Sequence, residues 1–159
     1  LAFTQPVDVE LAARYLSPPL RALFHQLDRG EQLHSLAVLR DVLAQGEIPP
    51  DLAVAALLHD VGKSRWPINV AQKTTAVLVR ALLPAAYQRW SRGSALNLWQ
   101  RPFVVYEQHP AWSAELLRQA GASEGACWLA AHHAESLNQW RGHELVGLLA
   151  RLQQADNQN

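Results

Sequence analysis

His59 and Asp60 stand side by side in the run Leu57-Leu58-His59-Asp60-Val61-Gly62-Lys63-Ser64. An imidazole and a carboxylate at the end of an apolar stretch are costly to bury unless both are satisfied. A divalent cation satisfies both, because a neutral imidazole nitrogen and a carboxylate oxygen are each ligands of first-row metals. Further donors follow the same logic along the chain: His34 before the pair, then His109, the adjacent His132 and His133, and finally Asp156. Five imidazoles and two carboxylates are more than one ion needs and suit two ions that share a bridging carboxylate. Mixed nitrogen and oxygen donors fit Fe, Mn, Co, Ni or Zn without choosing among them, and an all-oxygen Mg site is not expected.

Taken in order, these segments resemble the HD superfamily of metal-dependent phosphohydrolases. Leu57 to Ser64 matches its core signature. Glu107-Gln108-His109-Pro110, followed by Ala114-Glu115-Leu116-Leu117, is similar to its third histidine segment. Ala131-His132-His133-Ala134-Glu135 is similar to its double histidine, and Ala155-Asp156 to its closing aspartate. The resemblance runs over about residues 31–157 and is closest to the HDIG and HD-GYP branch, whose extra histidines hold a second metal. Residues 136–142, Ser-Leu-Asn-Gln-Trp-Arg-Gly, depart from that branch, which continues there with Asp-Gly and then Gly-Tyr-Pro. Cyclic-di-GMP is therefore not supported as substrate. Gly30 stands one turn before His34, where some relatives carry another carboxylate, and Glu31 is one step off that position, so a third metal is not expected.

The resemblance implies an all-α, single-domain helical bundle of the HD type over residues 1–159. It implies one divalent metal held by His34, His59, Asp60 and Asp156, and a second held by Asp60 as bridge with His109, His132 and His133. Two such cations lower the pKa of an attacking water and neutralise charge on phosphoryl oxygens. Asp60 and Lys63 are then the catalytic candidates, with Lys63 offered to a phosphate oxygen. The implied reaction is hydrolysis of a phosphoester or phosphoanhydride, and the implied partner a small phosphorylated molecule, a nucleotide. A function of another class stands beside it: a catalytically idle domain that holds metal and senses or binds a nucleotide or a protein partner. A third is a purely structural helical domain whose histidines hydrogen-bond internally.

Composition narrows the classes. Hydrophobic residues make up 49% and charged residues 18%, a globular balance. The formal net charge is zero, which gives no electrostatic footprint for a nucleic-acid polymer or an anionic membrane surface. The single cysteine, Cys127, cannot form an internal disulfide, and its apolar surroundings mark it as a buried structural thiol. No basic start followed by an apolar core is visible, and no apolar run has the length of a membrane span, so a cytoplasmic setting is expected. The chain begins at Leu1 and contains no methionine, so the natural start is expected to lie upstream.

The elements that must position the donors read as helices nearly throughout. Leu, Ala, Arg, Gln and Glu dominate, and alternation rich in Val, Ile and Thr is absent. The pattern predicts helices over Asp8 to Leu16, Leu20 to Leu27, Glu31 to Ala44 and Asp51 to Asp60. The last of these is apolar on nearly every face and so predicts a central buried helix. Thr74 to Trp90 has helical periodicity that Pro84 should bend or split. Ser91 to Asn97 reads as a loop. Pro102 to Gln108 reads as a turn or two of helix, with His109 pushed out of helical conformation by Pro110, which restarts a helix that Gly121 ends. Ser123 is the expected N-cap of a helix over Ala126 to Ala134. Trp140 to Gly142 reads as a loop, and His143 to Asp156 as the last helix. His25 and His143 are expected at the surface or in caps. The six tryptophans are expected to pack helices rather than stack on bases.

Overall fold

The computed structural model describes residues 6–159. Its helices are α1 (Val9–Ala13), α2 (Pro18–Gln26), α3 (Arg29–Ala44), α4 (Pro50–Leu58), α5 (Val70–Leu82), α6 (Pro84–Ser91), α7 (Arg101–Gln119), α8 (Glu124–His132) and α9 (Val146–Asn157). Two short 3₁₀ turns, Val61–Arg65 and Leu137–Trp140, follow α4 and α8. No strand occurs among the described residues, and the expected all-α bundle is borne out. Among the same residues no helix is long and apolar enough to cross a membrane.

The centre of the bundle is α4. Every residue from Leu52 to Leu58 is buried, so the helix has no solvent face. Burying one such Leu is worth roughly 1.5–3 kcal/mol over leaving it exposed. Around α4 pack α3, α8 and α9, and their leucines and valines form one core with it.

Helices α4 and α8 are fastened at their starts. Ser123 caps α8 by accepting a hydrogen bond from the Ala126 backbone at 3.2 Å, and its own hydroxyl donates to Asp51 Oδ1, in the first turn of α4, at 2.6 Å. Gly125 lets the two starts approach, because a Cβ there would overlap the Asp51 carboxylate. Each helix is nine residues long. Helices that begin together, run side by side and have equal length must end together, and the donors are at those ends.

Helix α7 corrects one expectation. The chain does not leave the helix at His109-Pro110; a single helix runs through both from Arg101 to Gln119. Proline has no N–H, so it strips the Tyr106 carbonyl of its partner four residues on. His109 supplies the replacement: its Nδ1 donates to Tyr106 O at 2.9 Å and also lies 3.1 Å from Val105 O. The imidazole repairs the break that the proline makes.

Pro84 does split its segment, opening α6 at the first helical position. Helix α5 starts four residues earlier than expected, at Val70, because Asn69 and Gln72 form a reciprocal capping box. Helix α9 starts later, at Val146, since His143 Nδ1 accepts from the Leu145 backbone and holds residues 143–145 in a turn. Cys127 is buried, as its surroundings predict.

Candidate metal centre

Six of the seven expected ligands gather at one place. His34, His59 and Asp60 form one compatible group, His59, His133 and Asp156 a second, and Asp60, His109 and His133 a third, with donor atoms in each group within 4.8 Å of one another. Asp60 divides its oxygens between two sets. Its Oδ1 faces His109 Nε2 at 3.1 Å and His133 Nε2 at 3.5 Å. Its Oδ2 faces His59 Nε2 at 3.5 Å and His34 Nε2 at 3.9 Å. Asp156 Oδ1 closes the second set, 3.0 Å from His34 Nε2 and 3.4 Å from His59 Nε2.

The backbone orients the rings. His59 Nδ1 lies 3.3 Å from the carbonyl oxygens of Ala55 and Ala56. His133 Nδ1 lies 2.8 Å from Ala130 O, and His109 uses Tyr106 and Val105 in the same way. A carbonyl only accepts, so each Nδ1 carries a proton, and whenever the ring is neutral its Nε2 turns a lone pair inward. His109 Nε2 and His133 Nε2 then face each other at 3.3 Å beside a carboxylate oxygen. With neutral rings these lone pairs converge and repel, and either a cation among them or a proton on Nε2 relieves the repulsion. His59 Nε2 makes the same point, being fully buried and without a hydrogen-bond partner. The donor set therefore fits a first-row divalent metal.

The field at the cluster is that of a site for cations. Burial opposes a charged His59, but Asp60 and Asp156 outweigh it and raise its pKa. Burial also opposes ionised Asp60, yet His59, Lys63, His109 and His133 together hold its carboxyl well below the usual range. Asp156 is lowered likewise against its own burial, by His34 and His59. Burial lowers the His133 pKa despite the pull of Asp60.

The inner donors His59, Asp60, His109 and His133 are 0–6% exposed, whereas the His34 and Asp156 side chains are 22% and 28% exposed. The cluster thus opens on the α3 and α9 side, into a cavity of about 1030 Å³. Lys63 lines this cavity, with its ammonium against Asp60 Oδ2 and 3.7 Å from Glu31 Oε2. Burial opposes its charge, and Asp60 and Glu31 raise its pKa in spite of that.

His132 is the expected ligand that the structure does not bring to the cluster. One residue along a helix turns a side chain by about 100°. Its ring instead lies 4.2 Å from that of Trp140 and 4.8 Å from that of Trp128, with Nδ1 3.1 Å from Glu135 Oε2. Trp128 also stacks flat on His143, ring centroids 3.9 Å apart. These tryptophans pack helices, and His143 caps a turn.

The sequence reading marks neither Gln153 nor Lys73, and it sets Glu31 aside as a metal ligand. Gln153 donates to the His133 and Glu135 carbonyls at 2.9 and 2.6 Å, tying α9 to the end of α8. Its spacing of three from Asp156 is the signal that could have revealed it. Glu31 is three residues before His34 and lines the same cavity. Lys73, on α5, contacts Glu31 and lines the same cavity, and nothing in the local sequence announces it.

A family model described as the HD domain matches residues 33–157. Comparison with curated proteins and with solved structures gave no match. The chain belongs to the HD domain family, whose members are generally metal-dependent phosphohydrolases.

Proposed function

We propose, from the chain's membership of the HD domain family, that it hydrolyses a phosphoester or phosphoanhydride of a small molecule, a nucleotide by size and charge, at a two-metal site. The observation that carries this reading is the division of Asp60: one carboxylate offers separate oxygens to two sets of inward-facing imidazoles. His34, His59, Asp60 and Asp156 would hold one ion, and Asp60, His109 and His133 the other. Such ions supply a water of lowered pKa and neutralise charge on a phosphoryl group.

The remaining tasks belong to the chain itself. The backbone carbonyls on His59, His109 and His133 hold each ring in the ligating tautomer, so little reorganisation is needed at binding. The exposed edges of His34 and Asp156 leave an approach from the cavity, and the buried imidazoles exclude bulk water from the other side. Lys63 donates to a phosphate oxygen once its Asp60 partner is engaged elsewhere. A cavity of about 1030 Å³ is at the upper end for small-molecule sites and accommodates a nucleotide.

The test is metal analysis of the purified protein, then a panel of nucleotides and p-nitrophenyl phosphate assayed with the metals found. Release of phosphate that depends on metal and disappears with Asp60→Ala is the expected result. Full metal occupancy without hydrolysis of any member would favour the idle, nucleotide-binding alternative.

A further inference from the structure

The cavity holds a second ammonium group besides Lys63. Lys73, on α5, contacts Oε1 of Glu31, while Lys63 Nζ lies 3.7 Å from Oε2 of the same carboxylate. Glu31 therefore lies between two lysines that arrive from separate elements. Its side chain is only 11% exposed, and the Asp28 carboxylate fixes its backbone by accepting from Glu31 N at 2.9 Å.

Counting charge shows why this is more than a structural ion pair. Two carboxylates, Asp28 and Glu31, face three cations, Lys63, Lys73 and Arg80, in the cavity lining on this side. Lys63 has a further partner in Asp60, but both oxygens of Asp60 face imidazole sets. A cation held there takes that negative charge away from Lys63. Glu31 then stands between two ammonium groups with Asp28 as the second carboxylate of this wall, so the two lysines balance two carboxylates and Arg80 leaves one positive charge in excess next to the metal centre. Arg80 continues the wall seven residues along α5, about 10 Å further at 1.5 Å per residue, and it too lines the cavity.

We propose that Lys73, positioned by Glu31, seats a second phosphate group of the substrate beside the one at the metal centre. The substrate class is then a compound with at least two linked phosphates, such as a nucleoside di- or triphosphate, rather than a simple monoester. This inference rests on the phosphohydrolase reading for its setting, but it is tested by binding.

The experiment titrates inorganic pyrophosphate and, separately, inorganic phosphate into the Mn-loaded protein by calorimetry, for wild type, Lys73→Ala and Lys73→Arg. Metal content and circular dichroism are checked for each variant. The Lys73 side chain is 36% exposed on a helix, so both variants should fold. Wild type should prefer pyrophosphate. Lys73→Ala should lower pyrophosphate affinity about tenfold or more beyond any loss for phosphate, the size expected of one charge-assisted hydrogen bond, and Lys73→Arg should keep most of the preference. An unchanged pyrophosphate-to-phosphate ratio in Lys73→Ala, or no preference in wild type, overturns the seat. Hydrolysis of p-nitrophenyl phosphate is assayed in parallel. A chain that hydrolyses it while the ratio stays unchanged keeps the reaction and loses the seat. A chain that needs Lys73 to bind pyrophosphate but hydrolyses nothing keeps the seat and loses the reaction.

Discussion

Helices α4 and α8 make a natural pair. Both are nine residues long, both are fastened at Ser123 and Asp51, and both end in two adjacent residues with metal-ligating side chains. The outcomes differ. On α4 the pair comes after the last helical residue: His59 is the C-cap in helical conformation, and Asp60, at φ −100° and ψ 2°, has left the helix. Both side chains can then face the same place. On α8 the pair comes one residue earlier. His132 is still helical and points to Trp128 and Trp140, while His133 takes the cap position that His59 takes on α4. The two cap histidines meet, with ring centroids 4.8 Å apart. Ala134 stands where Asp60 would be, so the carboxylate that faces both imidazole sets comes from the end of α4 alone. Position relative to the helix end decides which of two neighbours faces the cluster.

The severest way to break this pairing is Gly62→Ala. Gly62 follows the α4 end and packs on α7, where its N–H donates to Ser113 Oγ at 2.8 Å. A Cβ there would overlap the His109 carbonyl oxygen and come within 2.8 Å of the Ser113 nitrogen. The 3₁₀ turn would be pushed off α7, separating Asp60 from His109. The variant should lose about 3 kcal/mol or more by denaturant unfolding, and metal occupancy should fall with it.

The next test sets the two members of one pair against each other. His133→Ala should weaken metal binding by on the order of a hundredfold, since even outer partners of ligands are worth 10–100-fold. His132→Ala should leave metal stoichiometry unchanged and cost only packing against the tryptophans. Equal metal loss in both would restore His132 to the ligand set.

Acidity sharpens the contrast between carboxylate and imidazole. Asp60 and Asp156 lie below their ordinary value of 3.8 in the folded chain. Their contribution is complete above that value and is lost as pH falls below it, so the metal-free protein should lose thermal stability on acidification past about pH 4. The His59 and His133 shifts have opposite signs and oppose each other near 6.5. Added metal changes that balance, because protonated imidazole does not ligate. The rise in melting temperature on adding Mn should grow between about pH 5 and pH 8.

The smallest effect is expected at the far end of the pair. Ser123→Ala removes the α8 cap and its bond to Asp51. A loss of about 1 kcal/mol, with metal affinity nearly unchanged, fits a residue that aligns the helix starts without touching their ends.

Much of this was legible in the residues themselves. The all-helical pattern, the buried α4, the Ser123 cap and the split at Pro84 follow from local preference and punctuation. The ligand order pointed to one cluster because each donor lies on an apolar face or at a helix end. What failed were steps that depend on a neighbour in space. His109-Pro110 predicts a break, and only the imidazole bonding back to Tyr106 O keeps α7 whole. His132 and His133 are indistinguishable until the last helical residue is fixed, and helix ends are the part of a sequence pattern least sharply marked. Glu31 and Lys73 are 42 residues apart, so nothing local announces their contact.

The shared carboxylate is the hinge of the whole arrangement, and metal stoichiometry of Asp60→Ala beside wild type tests it most directly. Elemental analysis after loading with Mn should find two ions per chain in wild type and none held tightly in Asp60→Ala, with His109→Ala losing chiefly one. Equal metal content in wild type and Asp60→Ala, or a wild-type chain that takes up no transition metal at all, would contradict the bridging role of Asp60.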